Sequence, residues 1–142
     1  MAFTPNALTF KQGLQRIDAA VKASGLKVGT AVITSRDPAV QKAQDALRVT
    51  NVPNGFKKWQ LPVSFDGPTQ LFISVGAPDI DVPEHAHDEG DGIRFIMGGS
   101  VLYNGIELTE GDWMFIPKGA KYSLRTGRIG VIVCYCYRCC CA

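Results

Sequence analysis

The sequence is poor in histidine and tryptophan, with two of each in 142 residues, and it has no long apolar run. A membrane-spanning helix needs roughly 20 apolar residues, and no segment approaches that length. The N-terminus, MAFTPNALTFKQGLQRID, lacks an apolar core followed by a small-residue cleavage site. We therefore expect a soluble, unexported protein of the cytoplasm that has no membrane partner.

An excess of charge of one sign is also missing. The formal net charge of +2 comes from scattered lysines and arginines, and no basic block is present. Without such a block the sequence gives no reason to expect nucleic acid as a partner. We expect a small-molecule ligand or substrate instead.

Cysteine is absent until the C-terminal end, where all five cysteines lie from Cys134 onward. An odd number in one segment cannot build a distributed disulfide framework, which fits a reducing compartment. The alternation in VIVCYCY predicts a strand with Cys134 and Cys136 on one face and Tyr135 and Tyr137 on the other. The remaining cysteines have three open interpretations: packing at the chain end, a soft-metal thiolate site, or a prenylation box at Cys139 that lacks its usual aliphatic residues.

Composition changes near residue 60. Before it, ALTFKQGLQRIDAAVKASGL has helical spacing and ends at Gly25, and DPAVQKAQDALRV begins with Asp37 as N-cap and Pro38 at the first helical position. KVGTAVITS predicts a strand between these helices, and NVPNGFKKWQLP predicts a connector. We therefore expect a helical extension over residues 1–60 and a separate β domain over residues 61–142.

The second part is rich in β-branched and aromatic runs separated by glycine and proline turns. The candidate strands are TQLFISV, GIRFIMG, SVLYNG, DWMFIP, KYSLRT and GVIVCYCY. They follow one another too closely for crossover helices, which disfavours a parallel sheet. The predicted fold class is mainly β, a small antiparallel β-barrel or jelly roll with an N-terminal α-helical extension.

Both histidines lie in PEHAHDEGDG, residues 83–92. If this segment is extended, its period of two points the rings of His85 and His87 to the same face, which in a small barrel is the interior. Asp91 follows where the chain turns back. Two histidines and one carboxylate form the ligand set of non-haem iron oxygenases. The alternative is a polar turn that happens to hold histidines.

The same residues resemble known sequence motifs. HAHDEGDGIRFIMG resembles the first motif of the cupin superfamily, in which His85, His87, Asp91 and Gly98 fit the spacing and an aspartate stands where the family usually has glutamate. GDWMFIPKGAKY is similar to the second cupin motif, with Tyr122 in place of the final histidine. The resemblance covers roughly residues 63–137.

This resemblance implies a cupin-like barrel that holds a divalent metal ion, with iron, manganese, zinc and nickel equally compatible. The candidate ligands are His85, His87, Asp91 and Tyr122, with Asp88 and Glu89 in reserve. Tyr122 has three possible roles: a phenolate ligand, a holder of metal-bound water, or a space-filling side chain. Cupin-like barrels commonly dimerise, and an exposed final strand invites pairing, so we expect a homo-oligomer, most simply a dimer.

Three function classes follow from these observations. The first is a metal-dependent dioxygenase or isomerase acting on a small organic molecule, for which no catalytic residue is assigned. The others are a non-catalytic ligand or metal sensor and a structural subunit of a larger assembly. Arg94 also has two interpretations. If it faces inward, its guanidinium would bind a substrate carboxylate through two parallel hydrogen bonds; if it faces outward, it would be solvated.

Overall fold

The computed structural model describes residues 7–138. It forms two compact units, one from residues up to 27 together with 37–64, and one from residues 28–36 together with those from 65 onward. The segment 28–36 joins the second unit because its short strand pairs there. The predicted boundary between residues 60 and 61 remains a prediction.

The first unit contains both helices. α1, Phe10–Ser24, begins with a capping box in which Thr9 and Gln12 bond to each other's backbone amides, and it ends at Gly25 in the left-handed conformation (φ 73°). α2, Pro38–Ala46, begins with the proline at its first turn, where a missing N–H costs nothing. The helix end and the helix start predicted at these positions are confirmed.

A short ribbon and one side-chain network complete the first unit. β2, Arg48–Val49, pairs antiparallel with β3, Lys58–Trp59, so the predicted connector contains a strand. The Arg16 guanidinium donates to the Arg48 carbonyl oxygen at 2.7 Å and to the Gln60 side-chain oxygen at 3.3 Å. These bonds tie α1 to β2 and to the residue that follows β3.

The second unit is a seven-stranded antiparallel sheet. Its strands are β1 Ile33–Thr34, β4 Gln70–Gly76, β5 Asp81–His85, β6 Gly92–Tyr103, β7 Ile106–Thr109, β8 Trp113–Ile116 and β9 Tyr122–Tyr137. The hydrogen-bonded order is β1-β8-β6-β9-β4, with β5 also on β9 and β7 also on β6. The predicted mainly antiparallel β fold is confirmed.

Two strands are longer than predicted. β6 joins GIRFIMG to SVLYNG, and β9 joins KYSLRT to GVIVCYCY, because the glycines between them form bulges instead of turns. Gly99 has φ 68°, and a Cβ there would collide with the backbone of Gly130 on β9. The predicted breaks in these strands are therefore wrong, and each long strand pairs with different neighbours along its two halves.

The sheet stays open within residues 7–138, since β1 and β4 lie at the two ends of the pairing order. Its core lies against the face that carries Tyr122 and Tyr137. The buried members of this core are Ile96, Val101, Leu108, Met114, Ile116, Tyr122, Val131, Val133 and Tyr137. In the part of the chain that the structure describes, neither helix has the length and apolar character needed to cross a bilayer.

Candidate functional site

The pairing of β5 with β9 positions the first histidine. His85 is the last residue of β5 and lies directly opposite Tyr122, the first residue of β9. Their ring centroids are 4.5 Å apart. The His85 Nδ1 atom lies 2.8 Å from the carbonyl oxygen of Pro83, which fixes the orientation of the imidazole.

His87 follows the end of β5 and joins the same cluster. Its ring centroid is 5.1 Å from that of His85, in an edge-on arrangement, and 4.3 Å from that of Tyr137. Its Nε2 atom lies 3.0 Å from the Tyr122 hydroxyl oxygen. The predicted convergence of the two imidazoles on one face is therefore present in the structure.

The pKa of His87 is lowered from its ordinary value. Burial is the main cause, because it penalises the charged imidazolium, and the neighbouring His85 and Arg94 act in the same direction. The carboxylate of Asp88 opposes the shift without cancelling it. The neutral imidazole, the form that binds metals, is therefore favoured at position 87.

Tyr122 connects the members of the cluster. Its side chain is buried, and its hydroxyl group lies within hydrogen-bond distance of three side chains. It bonds to His87, accepts from the Arg94 guanidinium at 3.1 Å and lies 3.2 Å from the Tyr137 hydroxyl. Desolvation raises the pKa of Tyr137 well above its ordinary value, so that phenol stays protonated and can donate.

Asp91 has a different set of partners. Its carboxylate accepts a hydrogen bond from the backbone amide of Lys118 at 2.7 Å, and its carbonyl oxygen accepts one from the amide of Arg138 at 3.1 Å. The first bond connects the first motif to the turn of the second, and the second bond connects it to the residue that follows β9. Among residues 7–138 no three His, Cys, Asp or Glu side chains are grouped closely enough to hold a metal ion. Ligation by Asp91 stays a prediction.

Arg94 points into the cluster, so its interpretation as a solvent-facing side chain is wrong. The guanidinium carbon lies 4.6 Å from the ring centroid of Tyr135, 5.6 Å from that of Tyr137 and 5.9 Å from that of Tyr122. Its buried Nε atom has no hydrogen-bond acceptor in the described part of the chain. Burial lowers the pKa of Arg94, but its interactions with Tyr137 and Tyr122 outweigh burial and raise it.

The second motif contributes a structural cluster around Asp112. Its carboxylate accepts from the Arg36 Nε at 2.9 and 3.0 Å, from the Ser35 hydroxyl at 2.8 Å and from the Thr109 amide at 3.0 Å. Burial alone would raise the pKa of Asp112, but the hydrogen bonds from Arg36, Thr109 and Ser35 lower it. Asp112 thus bonds to its own turn through Thr109 and to two residues that follow β1, Ser35 and Arg36.

Sequence reasoning also missed the role of the last strand. Alternation predicts that Tyr135 and Tyr137 share one face of β9. Arg94 and His87 lie against these two tyrosines. A Cβ on Gly92 would run into the Tyr137 ring, so this glycine is required for the close approach of the tyrosine. The cysteines after residue 138 lie outside the described residues.

No protein-family model and no curated protein sequence matches this chain. Solved structures do resemble it. A protein of unknown function with a cupin-like fold from Ralstonia eutropha is 21% identical with a TM-score of 0.45, over 49% of this chain and 46% of that one. Bacterial pirin from Escherichia coli in complex with nickel(II) is 15% identical with a TM-score of 0.41, over 50% of this chain and 31% of that one.

A third similar structure is a salicylate 1,2-dioxygenase from Pseudaminobacter salicylatoxidans, 12% identical with a TM-score of 0.41, over 91% of this chain and 34% of that one. This chain thus spans less than half the length of each of the three. The first of the three is described as having a cupin-like fold, the family that the two motifs resemble. The likeness extends to the fold alone.

Proposed function

We propose that this chain is a cupin-like metal-binding protein in which His85 and His87 hold one divalent transition-metal ion beside a small organic ligand or substrate. The observation that carries the proposal is the contact between the two imidazoles, the only ones in the sequence, at a ring separation of 5.1 Å. Imidazole is the commonest protein ligand for such ions.

The hydrogen bond of His85 supports this role. A carbonyl oxygen can only accept, so the Nδ1 atom that lies 2.8 Å from the Pro83 oxygen carries the proton. The Nε2 atom then keeps its lone pair. Proteins commonly orient metal-binding imidazoles in this way, with one ring nitrogen bonded to a backbone carbonyl and the other bound to the metal.

The donor set fits an open site and not a closed structural one. It consists of two imidazoles with the Tyr122 phenol in contact with both, while the Asp91 carboxylate is bonded to the Lys118 amide. Two protein nitrogens leave coordination positions for water and a ligand. A bound ion would supply Lewis-acid activation, which a metal-dependent isomerase or dioxygenase of small organic molecules requires.

The test is the metal content and metal affinity of a His85→Ala/His87→Ala double variant. The parent protein, incubated with nickel or zinc and then desalted, should retain one equivalent by elemental analysis. The double variant should retain none and keep its β-rich circular dichroism spectrum. Glu84→Ala, at an exposed position on the same strand, is the matched control and should bind like the parent. Equal metal retention in parent and double variant would overturn the proposal.

Asp91→Asn tests the predicted third ligand separately. The asparagine side-chain oxygen can still accept from the Lys118 amide, so the loop keeps its hydrogen bond while the charge is lost. A metal affinity lowered at least about tenfold with an unchanged melting temperature would support ligation. Unchanged affinity would assign Asp91 to the loop alone.

The exposed apolar face of β4 favours a second candidate, a structural role in an assembly of identical chains. Leu71, Ile73 and Val75 alternate along this strand and are 73%, 70% and 76% exposed. Within residues 7–138, β4 pairs with β9 on one side only, and exposed apolar edges promote association. Light scattering should show a dimer that Ile73→Lys dissociates, and a monomeric parent would exclude this candidate.

A further inference from the structure

We propose that Arg94 is the anchor of a binding site for the carboxylate group of a small organic molecule. This inference goes beyond the metal site and does not depend on it. It rests on a guanidinium that has lost much of its hydration without gaining an anionic partner among residues 7–138.

The hydrogen-bonding state of Arg94 is the first observation. A guanidinium offers five N–H donors and can accept nothing. Of these, Nη2 donates to the Tyr122 hydroxyl at 3.1 Å, and the Tyr137 hydroxyl is a second hydrogen-bond partner, while the buried Nε has no acceptor among the described side chains and backbone. No carboxylate in residues 7–138 forms a salt bridge with Arg94. Buried charges are normally paired, because an unpaired one costs free energy.

The surrounding rings do not replace such a partner. Tyr135, Tyr137 and Tyr122 approach the guanidinium with centroid distances of 4.6, 5.6 and 5.9 Å. Their π-systems stabilise a cation that lies over them, but they offer no oxygen acceptor to the buried Nε. Phe72 stacks on Tyr135 with centroids 5.1 Å apart and holds that ring in place. The result is a cation surrounded by aromatic rings, with one buried donor, Nε, that has no acceptor in the described residues.

The chemistry of these donors selects the ligand class. The Nε and one Nη of a guanidinium form a planar fork that matches the two oxygens of a carboxylate. The cluster contains one permanently charged cation, which balances the single charge of a carboxylate but not the double charge of a phosphate monoester. The Arg94 side chain as a whole is half-buried and partly open to solvent, whereas its Nε atom is buried, so a carboxylate that bonds to Nε as well as Nη has to displace the neighbouring rings slightly. Those rings suit an apolar body attached to the carboxylate.

Acetate and benzoate, with acetamide and benzamide as uncharged counterparts, are the probes that test this inference. Binding is measured by ligand-observed NMR and calorimetry in low-chloride buffer, on protein treated with a chelator so that metal cannot contribute. At least one carboxylate should bind with one-to-one saturation and at least about tenfold more tightly than its amide. Arg94→Gln should weaken that binding roughly 10- to 100-fold, as expected for loss of a charge-assisted pair.

Two further variants make the test specific. Arg94→Lys keeps the charge without the fork and should lose part of the affinity. Arg36→Gln removes an arginine that is paired with Asp112 elsewhere in the sheet and should bind the probe like the parent. Near-ultraviolet circular dichroism checks that each variant is folded. Carboxylates that bind no better than their amides, or equal binding by the parent and the folded Arg94 variants, would overturn the inference whatever the outcome for the metal.

Discussion

Two arginines of the sheet unit have opposite surroundings. The Arg36 side chain is 43% exposed and bonds to both oxygens of Asp112, which is itself held by Ser35 and Thr109. The Arg94 side chain is half-buried, bonds to the hydroxyl groups of Tyr122 and Tyr137 and has no carboxylate partner in the described residues. The arginine that water could solvate is paired, and the one that has lost water is not.

This difference indicates a structural role for Arg36 and a ligand-binding role for Arg94. The pair of Arg36 and Asp112 fastens the β1 segment to the turn before β8, and each partner satisfies the other. The arrangement around Arg94 lowers stability compared with an apolar core, because a charge is withdrawn from water without full compensation. Such a cost is usually found where a side chain serves a ligand. Three substitutions, given in order of decreasing effect on stability, test whether the two arginines differ in this way.

The largest effect is expected for Gly92→Ala, which acts on the cluster of Arg94. The new Cβ would collide with the ring of the fully buried Tyr137, which lies beside both Arg94 and His87. Overpacking of this kind costs about 2 to 3 kcal/mol of the free energy of unfolding. Urea denaturation followed by circular dichroism measures it.

Gly98→Ala on the same strand is the matched control for this prediction. A Cβ there would meet only an Ile132 methyl group at 3.9 Å, an ordinary contact distance. The change should be within about 0.5 kcal/mol of zero, or stabilising because the unfolded chain loses entropy. Equal effects at both glycines would show that the Tyr137 ring is free to move away.

Asp112→Asn should have the second largest effect, on the region of Arg36. The charge-assisted bonds from Arg36 and the Thr109 amide are weakened, and because the Arg36 side chain is exposed, the loss of stability at neutral pH should be smaller than that of Gly92→Ala. Glu110→Gln is the control, since Glu110 is an exposed neighbouring acid that forms no salt bridge within the described range. It should unfold like the parent.

The same variant should change the dependence of stability on pH. The pKa of Asp112 is lower in the folded chain than its ordinary value of 3.8, so the carboxylate contributes fully above that value. This contribution disappears as the pH falls through the folded pKa. The parent and Asp112→Asn should therefore converge in stability in acid, and a constant difference from neutral pH down to about pH 2 would contradict the assignment.

Much of the fold could be predicted because its signals are local. Gly25 and Pro38 mark helix ends by their own backbone preferences, and the strand segments follow from alternation. The bulge at Gly98 and Gly99 could not be distinguished from a turn, because glycine suits both. Only pairing with a distant strand decides between them.

The candidate site was predictable in part for a similar reason. His85 and His87 converge because two residues on an extended chain share a face. The inward direction of Arg94 was not predictable, because its neighbours Ile93 and Phe95 are apolar and so give no sign of which face is wet. The bond between Asp91 and the Lys118 amide joins residues far apart in the chain, and neither neighbourhood encodes it.

The smallest effect on stability is expected for Arg94→Met, and it is the sharpest test of the comparison. Methionine fills the volume of the arginine stem and removes the unpaired Nε. It forfeits the hydrogen bonds to Tyr122 and Tyr137 and the stacking on Tyr135, while the Tyr122 hydroxyl keeps its contacts with His87 and Tyr137. Because replacing a poorly compensated buried charge with an apolar side chain is often neutral or favourable, the free energy of unfolding should change by less than about 1 kcal/mol.

Arg36→Met should destabilise instead, since it leaves Asp112 without its cation. Both are measured by urea denaturation at neutral pH. A large loss of stability in Arg94→Met alone would mean that Arg94 is a structural residue, and the contrast between the two arginines would then have to be abandoned.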